Sequence, residues 1–99
     1  MDYRVILSKP SLRDLGRIAR YIAQDNPSAA ERVGLELVDL AESLNALPLR
    51  GAPLRSRLGV RRLVSEPYLV LYRVDEARRV VSVLRFWHAN QNPAALWLE

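Results

Sequence analysis

Residues 59 to 93 read GVRRLVSEPYLVLYRVDEARRVVSVLRFWHANQNP, and this stretch decides the fold. It contains three runs rich in β-branched, aromatic and aliphatic residues, at 60–64, 68–74 and 79–87. Ser65-Glu66-Pro67 separates the first two runs, because proline fixes φ and lacks a backbone donor. A polar break of hairpin length, 75–78, separates the last two. The sequence therefore predicts a meander of three short strands.

The middle run of this stretch shows only weak alternation of polar and apolar residues. One face of the predicted strand carries Tyr68, Val70, Tyr72 and Val74, and the other carries Leu69, Leu71 and Arg73. A strand with one face in water would alternate more clearly, so we expect both faces to be covered at least in part. A chain of 99 residues has few helices for that purpose, which indicates a partner.

The amino-acid composition argues against several classes of protein. The 99 residues, 49% of them apolar, predict one folded domain spanning 1–99. The chain has no cysteine and one histidine, so we expect no disulfide, no metal site and no cofactor. No apolar run approaches the roughly 20 residues of a membrane span, and the N-terminus lacks the pattern of a signal peptide. We therefore expect a cytoplasmic protein without membrane association.

Charge is distributed unevenly along the chain. Residues 1–42 hold seven acidic and six basic residues (−1), whereas residues 43–99 hold nine arginines and four acidic residues (+5), which together give the net +4. Between Glu42 and Glu66 the only charged side chains are those of five arginines, at 50, 55, 57, 61 and 62. Such a cluster favours an acidic partner, either nucleic acid or an acidic protein segment. The alternative is a solvated loop in an arginine-rich sequence.

The N-terminal half predicts one strand and two helices. Residues 2–8 alternate as a strand, and we expect the first helix to open at Ser11 with Asp14 as a capping partner. Its apolar stripe consists of Leu12, Leu15, Ile18, Ala19, Ile22 and Ala23. Asn26 and Pro27 then supply the N-cap and first position of the next helix.

The second helix has the most regular apolar pattern of the chain. Its seam consists of Ala30, Val33, Leu37, Leu40, Leu44 and Leu47, spaced 3-4-3-4-3, and Pro48 is expected to end it. This seam predicts packing against the first helix and the sheet, as an antiparallel helical hairpin. The loop 48–58 that follows holds three arginines and is longer than most connections, which favours a functional role.

Together these elements predict an α+β fold of order β-α-α-β-β-β. We expect a small antiparallel sheet, built from the N-terminal strand and the C-terminal three-stranded meander, with the helical hairpin packed on one face. The sequence leaves open the strand order. The apolar tail 94–99 is expected to cover part of the sheet or to dock against a neighbouring chain.

This order of elements resembles the RelE/ParE superfamily of bacterial toxins from type II toxin–antitoxin modules. The residues that carry the resemblance are Leu15, Ile18 and Tyr21 to Ala23; Asn26 to Ala30; Leu47, Pro48 and Gly51; Gly59 to Leu63; Tyr68 and Tyr72 to Val74; and Val81, Val83 to Arg85 and His88. The resemblance implies growth arrest, plasmid stabilisation and a cognate ParD-like antitoxin that wraps the toxin in a hetero-oligomer. It also implies one of two targets, DNA gyrase for the ParE branch or ribosome-bound mRNA for the RelE branch.

The residue types present favour the gyrase branch. Cleavage of RNA needs a base, an acid and positive charge on the phosphate. The resemblance implies an arginine after Tyr68 and a C-terminal tyrosine in the nuclease branch, but Leu69 follows Tyr68 and no tyrosine follows Tyr72. We therefore predict a gyrase inhibitor without catalytic residues. The alternatives are a nuclease that uses Arg62, Arg85 and His88, and a plain nucleic-acid-binding domain.

The residues predicted to bind the antitoxin or the target lie mostly in the basic half. They are Arg50, Arg55, Arg57, Arg61, Arg62, Tyr68, Arg73, Arg85, Trp87, His88 and Trp97. We expect acidic antitoxin side chains to face Arg55, Arg57 and Arg61 in particular. His88 has two interpretations, a base near neutral pH or a histidine hydrogen-bonded to backbone at a strand end.

Overall fold

The computed structural model describes residues 2–91, in which the helices and strands follow the predicted order with one addition. The elements are β1 (Arg4–Leu7), α1 (Lys9–Ala23), α2 (Pro27–Glu42), a 3₁₀ turn (Ser43–Asn45), β2 (Ala52–Pro53), β3 (Arg61–Ser65), β4 (Tyr68–Asp75) and β5 (Val80–His88). The addition is β2, a two-residue strand inside the arginine-rich loop. The predicted apolar tail, with Trp97, lies outside the described residues.

The five strands form one sheet in the order β1-β5-β4-β3-β2. The pairs β2–β3, β3–β4 and β4–β5 are antiparallel, which confirms the meander. β1 pairs with β5 in parallel, with Arg4 opposite Val80. The predicted α+β class and helical hairpin are confirmed, but the prediction of a wholly antiparallel sheet was wrong. The connection from β1 to β5 contains both helices and the other strands, so no tight turn forces opposite directions.

Helix α1 begins earlier than predicted. Its N-cap is Ser8, whose Oγ accepts a hydrogen bond from the backbone N–H of Ser11 at 3.1 Å. The Ser11 hydroxyl donates to the Ser8 carbonyl at 2.7 Å, so Ser11 lies inside the helix and the capping pair with Asp14 was wrong. Asn26 caps α2 as predicted, since its Oδ1 accepts from the N–H of Ala29 at 3.1 Å.

Helix α2 ends at Glu42, short of the predicted end at Leu47. The chain tightens there into the 3₁₀ turn, which keeps Leu44 fully buried and leaves Leu47 exposed. The backbone N–H of Tyr3 donates to the Asn45 carbonyl at 2.8 Å. The turn therefore ties the end of the helical hairpin to the start of β1.

The two faces of the sheet are covered unequally. Both helices pack on one face, where the buried cluster includes Leu37, Ala41, Leu44, Leu63, Tyr68, Val70, Tyr72, Val81, Val83 and Phe86. A second, smaller cluster of Val60, Leu71 and Trp87 lies on the opposite face, with Leu54, Leu69 and Leu84 packed against it. We call these the helix face and the outer face. The prediction that both faces are covered in part is confirmed. Within residues 2–91 no helix has the length and apolar character needed to cross a bilayer.

Candidate functional site

Arg85 is held in a buried ion pair. Its Nε and Nη2 donate to Oδ2 and Oδ1 of Asp14 at 2.7 and 2.9 Å, a bidentate arrangement. The side chain of Asp14 is 1% exposed and that of Arg85 is 12% exposed. Arg17 also donates to Asp14 Oδ1, at 3.2 Å. The guanidinium of Arg85 is therefore neutralised by its own chain.

Asp14 also completes the edge of β5 where β1 has ended. β1 pairs with β5 only as far as Val83, so the backbone groups beyond that point need other partners. The hydroxyl of Ser8 donates to the Leu84 carbonyl at 3.0 Å, and Asp14 Oδ2 accepts from the N–H of Phe86 at 3.1 Å. The start of α1 thus takes the place of a strand along this edge.

The three residues of the nuclease alternative do not converge. Arg62 lies opposite Leu71 on the outer face and is exposed. His88 lies opposite Tyr68, on the helix face. Arg85 is engaged with Asp14. The pattern that grouped these residues could not show the faces on which they lie.

The arginine-rich loop is attached to the sheet through the buried phenol of Tyr72. The N–H of Gly51 donates to the Tyr72 hydroxyl at 2.8 Å, and Arg61 Nη1 donates to the carbonyl of Gly51 at 2.7 Å. Burial raises the pKa of Tyr72, although this hydrogen bond and the nearby Arg61 and Arg50 oppose the shift. Arg61 therefore holds the loop, and Arg50 contacts Ser43 Oγ at 2.9 Å.

Several other predicted arginines point into solvent. The side chains of Arg55, Arg62 and Arg73 are exposed and make no hydrogen bond or ion pair within the described range 2–91. Arg57 is also exposed. Beside Arg73 an open cleft of about 620 Å³ is lined in part by Leu49, Gly59 and Arg61, and also by the acidic residues Asp75 and Glu76. Cationic side chains on the loop and the outer face are therefore available to an anionic partner.

Trp87 is nearly fully buried in the outer-face cluster. Its indole N–H donates to the Gln91 carbonyl at 3.3 Å, and the Arg85 guanidinium lies 5.3 Å from the ring centroid. The ring thus supports the sheet and the Arg85 side chain. Leu58, at the tip of the loop, is 96% exposed in contrast.

A pocket of about 300 Å³ lies between α1, the start of β4 and the end of β5. We call it the end pocket; its lining includes Arg17, Ile18, Tyr21, Tyr68, Phe86 and His88. The rings of Tyr68 and His88 meet edge to face, 5.4 Å between centroids and 85° between planes. Burial raises the pKa of Tyr68, and the neighbouring Tyr21 raises it further.

The sequence indicated only part of this arrangement. Tyr68 and His88 were predicted binding residues, and the structure brings them together. Arg17, Tyr21 and Asp14 were missed as site residues because they lie on α1, about 70 residues before His88. The available signal was the i, i+4 spacing of Arg17 and Tyr21, which places both side chains on one helix face. The described residues contain no cluster of three or more side chains suited to a metal ion.

Comparison with known proteins gives a consistent result. The family described as "ParE toxin of type II toxin-antitoxin system, parDE" matches residues 5–93. The putative toxin Y4kP of Sinorhizobium fredii is 36% identical over 83 residues, which are 82% of this chain and 82% of that protein. Toxin RelE2 of Caulobacter vibrioides is 35% identical over 86 residues, which are 87% of this chain and 94% of that protein.

Solved structures share the fold. The toxin–antitoxin complex RelBE2 from Mycobacterium tuberculosis contains a chain with a TM-score of 0.69 and 30% identity, covering 89% of this chain and 99% of that one. The chromosomal ParDE system of P. aeruginosa contains a chain with a TM-score of 0.76 and 22% identity, covering 89% and 97%. The two helices and the five-stranded sheet are therefore shared with toxins of both names.

Proposed function

Because the chain belongs to the ParE toxin family of type II toxin–antitoxin systems, we propose that it arrests growth by binding DNA gyrase and blocking religation of cleaved DNA. A cognate antitoxin neutralises it in the cytoplasm by forming a hetero-oligomer with it. The observation that carries the choice of target is the absence, within residues 2–91, of an assembled site for RNA cleavage.

The ion pair with Asp14 makes the Arg85 guanidinium unavailable to an RNA phosphate. A nuclease needs a cation on the scissile phosphate and proton-transfer groups beside it. Arg85 gives its guanidinium to Asp14, and His88 Nδ1 accepts from the N–H of Asn90 at 3.1 Å. Arg62 lies on the face of the sheet opposite to His88 and is separated from Arg85 by β4, since both arginines are opposite Leu71. A protein that binds its target without cleaving a bond needs none of these groups to converge.

The exposed arginines are suited to binding a large anionic or acidic partner. Arg55 and Arg62 have no ion-pair partner within the described part of the chain, and residues 43–65 contain no acidic side chain. These groups steer association and supply charge-assisted hydrogen bonds. Acidic side chains of the antitoxin would face the same arginines, so that the antitoxin and the target compete for one surface.

A supercoiling assay tests the proposal directly. Purified toxin at micromolar concentration should inhibit gyrase and accumulate cleaved DNA. The double variant Arg62→Glu, Arg73→Glu should inhibit at least tenfold less, whereas Arg13→Glu, Arg20→Glu on α1 carries the same change in charge and should inhibit normally. Supercoiling that is unaffected by the unmodified toxin would remove gyrase as the target.

The runner-up target is ribosome-bound mRNA. The names of the relatives RelE2 and RelBE2 favour it, as does the pairing of Tyr68 with His88 at an open pocket. This alternative predicts codon-linked cuts in a translating extract that His88→Ala abolishes. Messages that stay intact in the presence of the toxin would exclude it.

A further inference from the structure

We propose that the end pocket binds a carboxylate on a short apolar stem, the side chain of a glutamate or aspartate in an extended acidic segment of the antitoxin. The side chains that line the pocket determine which ligand it can bind. The antitoxin as the source of the carboxylate rests on the proposed function.

Each polar side chain that lines the end pocket within residues 2–91 can donate, and one of them, Gln91, can also accept through its amide oxygen. The raised pKa of Tyr68, caused first by burial and then by Tyr21, keeps its phenol protonated at neutral pH. His88 Nδ1 accepts from the N–H of Asn90, which leaves Nε2 as the ring nitrogen that can donate. Tyr21 and Arg17 add further donor side chains to the lining. A group that offers only acceptors, such as a carboxylate, matches this set.

The charge at the end pocket is positive. Among residues 2–91, its lining contains Arg17 and no acidic residue. Within the described residues, Asp14 contacts the lining residues Arg17 and Phe86, and its two oxygens accept from Arg85, Phe86 and Arg17. Asp14 is thus offset by two guanidinium groups, which leaves an excess of one positive charge beside the pocket. An anion that enters the pocket therefore meets hydrogen-bond donors, and the negative charge of Asp14 beside it is offset.

The size and walls of the end pocket favour a side chain over a nucleic-acid backbone. Its volume of about 300 Å³ lies at the lower end of the range of ligand sites. Ile18 and Phe86 form apolar walls that can cover a methylene stem. Nucleic-acid backbones are tracked by rows of cations, and here the exposed arginines Arg62 and Arg73 lie elsewhere on the sheet.

Nuclear magnetic resonance of the full chain tests this proposal with three small probes. Sodium propionate represents the acidic side chain, propionamide removes its charge, and dimethyl phosphate represents a nucleic-acid backbone. Propionate should shift the Arg17 Nε–Hε and His88 ring resonances saturably, with a millimolar Kd, since so small a ligand has few atoms to contribute. Propionamide should bind at least tenfold more weakly.

Two variants, each with a matched control, separate the pocket from general charge effects. Tyr21 is 73% exposed, so Tyr21→Phe should fold normally, and it should raise the propionate Kd about tenfold through the loss of one charge-assisted hydrogen bond. Arg17→Gln should do at least as much. Tyr3→Phe and Arg13→Gln, which lie outside the pocket, should leave the Kd unchanged.

Four results would overturn the proposal. The first is the absence of a saturable shift with propionate, and the second is tighter binding of dimethyl phosphate, which would assign the pocket to nucleic acid. The third is a change in the same resonances on Glu99→Gln without any probe, which would assign it to the chain's own carboxylate. The fourth is equal affinity of the cognate antitoxin for Tyr21→Phe and for Tyr3→Phe.

These measurements are independent of the target. The probe titrations use the isolated chain and need neither gyrase nor a ribosome. A chain that binds propionate at the end pocket but leaves gyrase active would contradict the proposed function alone. A chain that inhibits gyrase but does not bind propionate would contradict the pocket alone.

Discussion

Arg85 and Arg62 carry the same charge on the same sheet, yet the structure uses them differently. Arg85 is bound through Nε and Nη2 by a buried carboxylate of α1, at the edge where β1 no longer pairs with β5. Arg62 projects from the outer face without an ion-pair partner among residues 2–91. The comparison indicates that an arginine in a basic sequence cluster is available to a partner only where the fold leaves its side chain exposed and unpaired.

Removing the carboxylate of Asp14 is the strongest test of this comparison. Asp14→Ala should lower the free energy of unfolding by about 3–5 kcal/mol, because it leaves the largely buried Arg85 without its counter-charge. Urea denaturation measures the change. Asp39→Ala, at an exposed position of α2, is the control and should change stability by less than about 0.5 kcal/mol. A loss below about 1 kcal/mol for Asp14→Ala would show that the pair is not a structural clamp.

The attachment of the arginine-rich loop can be broken at Gly51. A Cβ there would lie 2.5 Å from the Arg62 carbonyl oxygen and 2.6 Å from the Tyr72 hydroxyl, and neither can move away easily. Gly51→Ala should therefore cost about 1–3 kcal/mol. Gly34→Ala is the matched control, because a Cβ inside α2 meets no atom within 4 Å. It should stabilise the chain by about 0.5–1 kcal/mol, and equal effects at both positions would contradict the clash.

The Tyr72 hydroxyl itself should matter somewhat less. Tyr72→Phe keeps the buried ring but leaves the N–H of Gly51 without its acceptor, at an expected cost of about 1–2 kcal/mol. Thermal unfolding gives the measurement. Tyr3→Phe, whose ring is only partly buried, should have no comparable effect. If both variants unfolded at the same temperature, the loop would be held by other contacts.

Alkaline pH should weaken the fold through the same phenols. Burial raises the pKa of both Tyr72 and Tyr68 above the usual value of 10.0. The unfolded chain therefore loses these protons first, so their contribution to stability is complete below pH 10 and declines as the pH rises through the folded values. Denaturation at pH 8 and at pH 11 should show the decline. It should be smaller in Tyr72→Phe, and an identical decline in that variant would refute the assignment.

Charge reversal on the outer face should have the smallest effect on folding. Arg62→Glu with Arg73→Glu should change the free energy of unfolding by less than about 0.5 kcal/mol, because both side chains are exposed and unpaired within the described residues. Affinity for the cognate antitoxin, measured by calorimetry, should nevertheless fall at least tenfold. Unchanged affinity would place the antitoxin interface elsewhere.

Local sequence patterns predicted those parts of the fold that depend on local periodicity. The meander, the Asn26 cap and most of the apolar stripe of each helix follow from side-chain spacing and turn residues, although Leu12 and Leu47 of the predicted stripes are exposed. The parallel pairing of β1 with β5 was not accessible, because alternation within a strand carries no information about its direction. β2 was missed because a two-residue strand containing Pro53 has no pattern of its own.

The candidate site was predicted in part, for a related reason. The sequence predicted arginines available to a partner in the loop and meander, and several of them are exposed. It also predicted Arg85 to be such an arginine, although Arg85 is paired with Asp14. Its partner, Asp14, lies 71 positions away in the sequence, and a partner at that distance leaves no local trace. The end pocket likewise joins α1 to the last strand. Only the tertiary arrangement could show that Tyr21 and His88 line one site.

The parallel pairing of β1 with β5 has a consequence for folding during synthesis. Arg4 pairs with Val80, so the N-terminal strand has no partner in the sheet until nearly the whole meander has been synthesised. Contacts of such long sequence separation carry a large loop-closure entropy and slow the folding reaction. The five-stranded sheet can therefore form only after β5 has been synthesised. A nascent chain that lacks β5 cannot yet present the folded surface of the toxin.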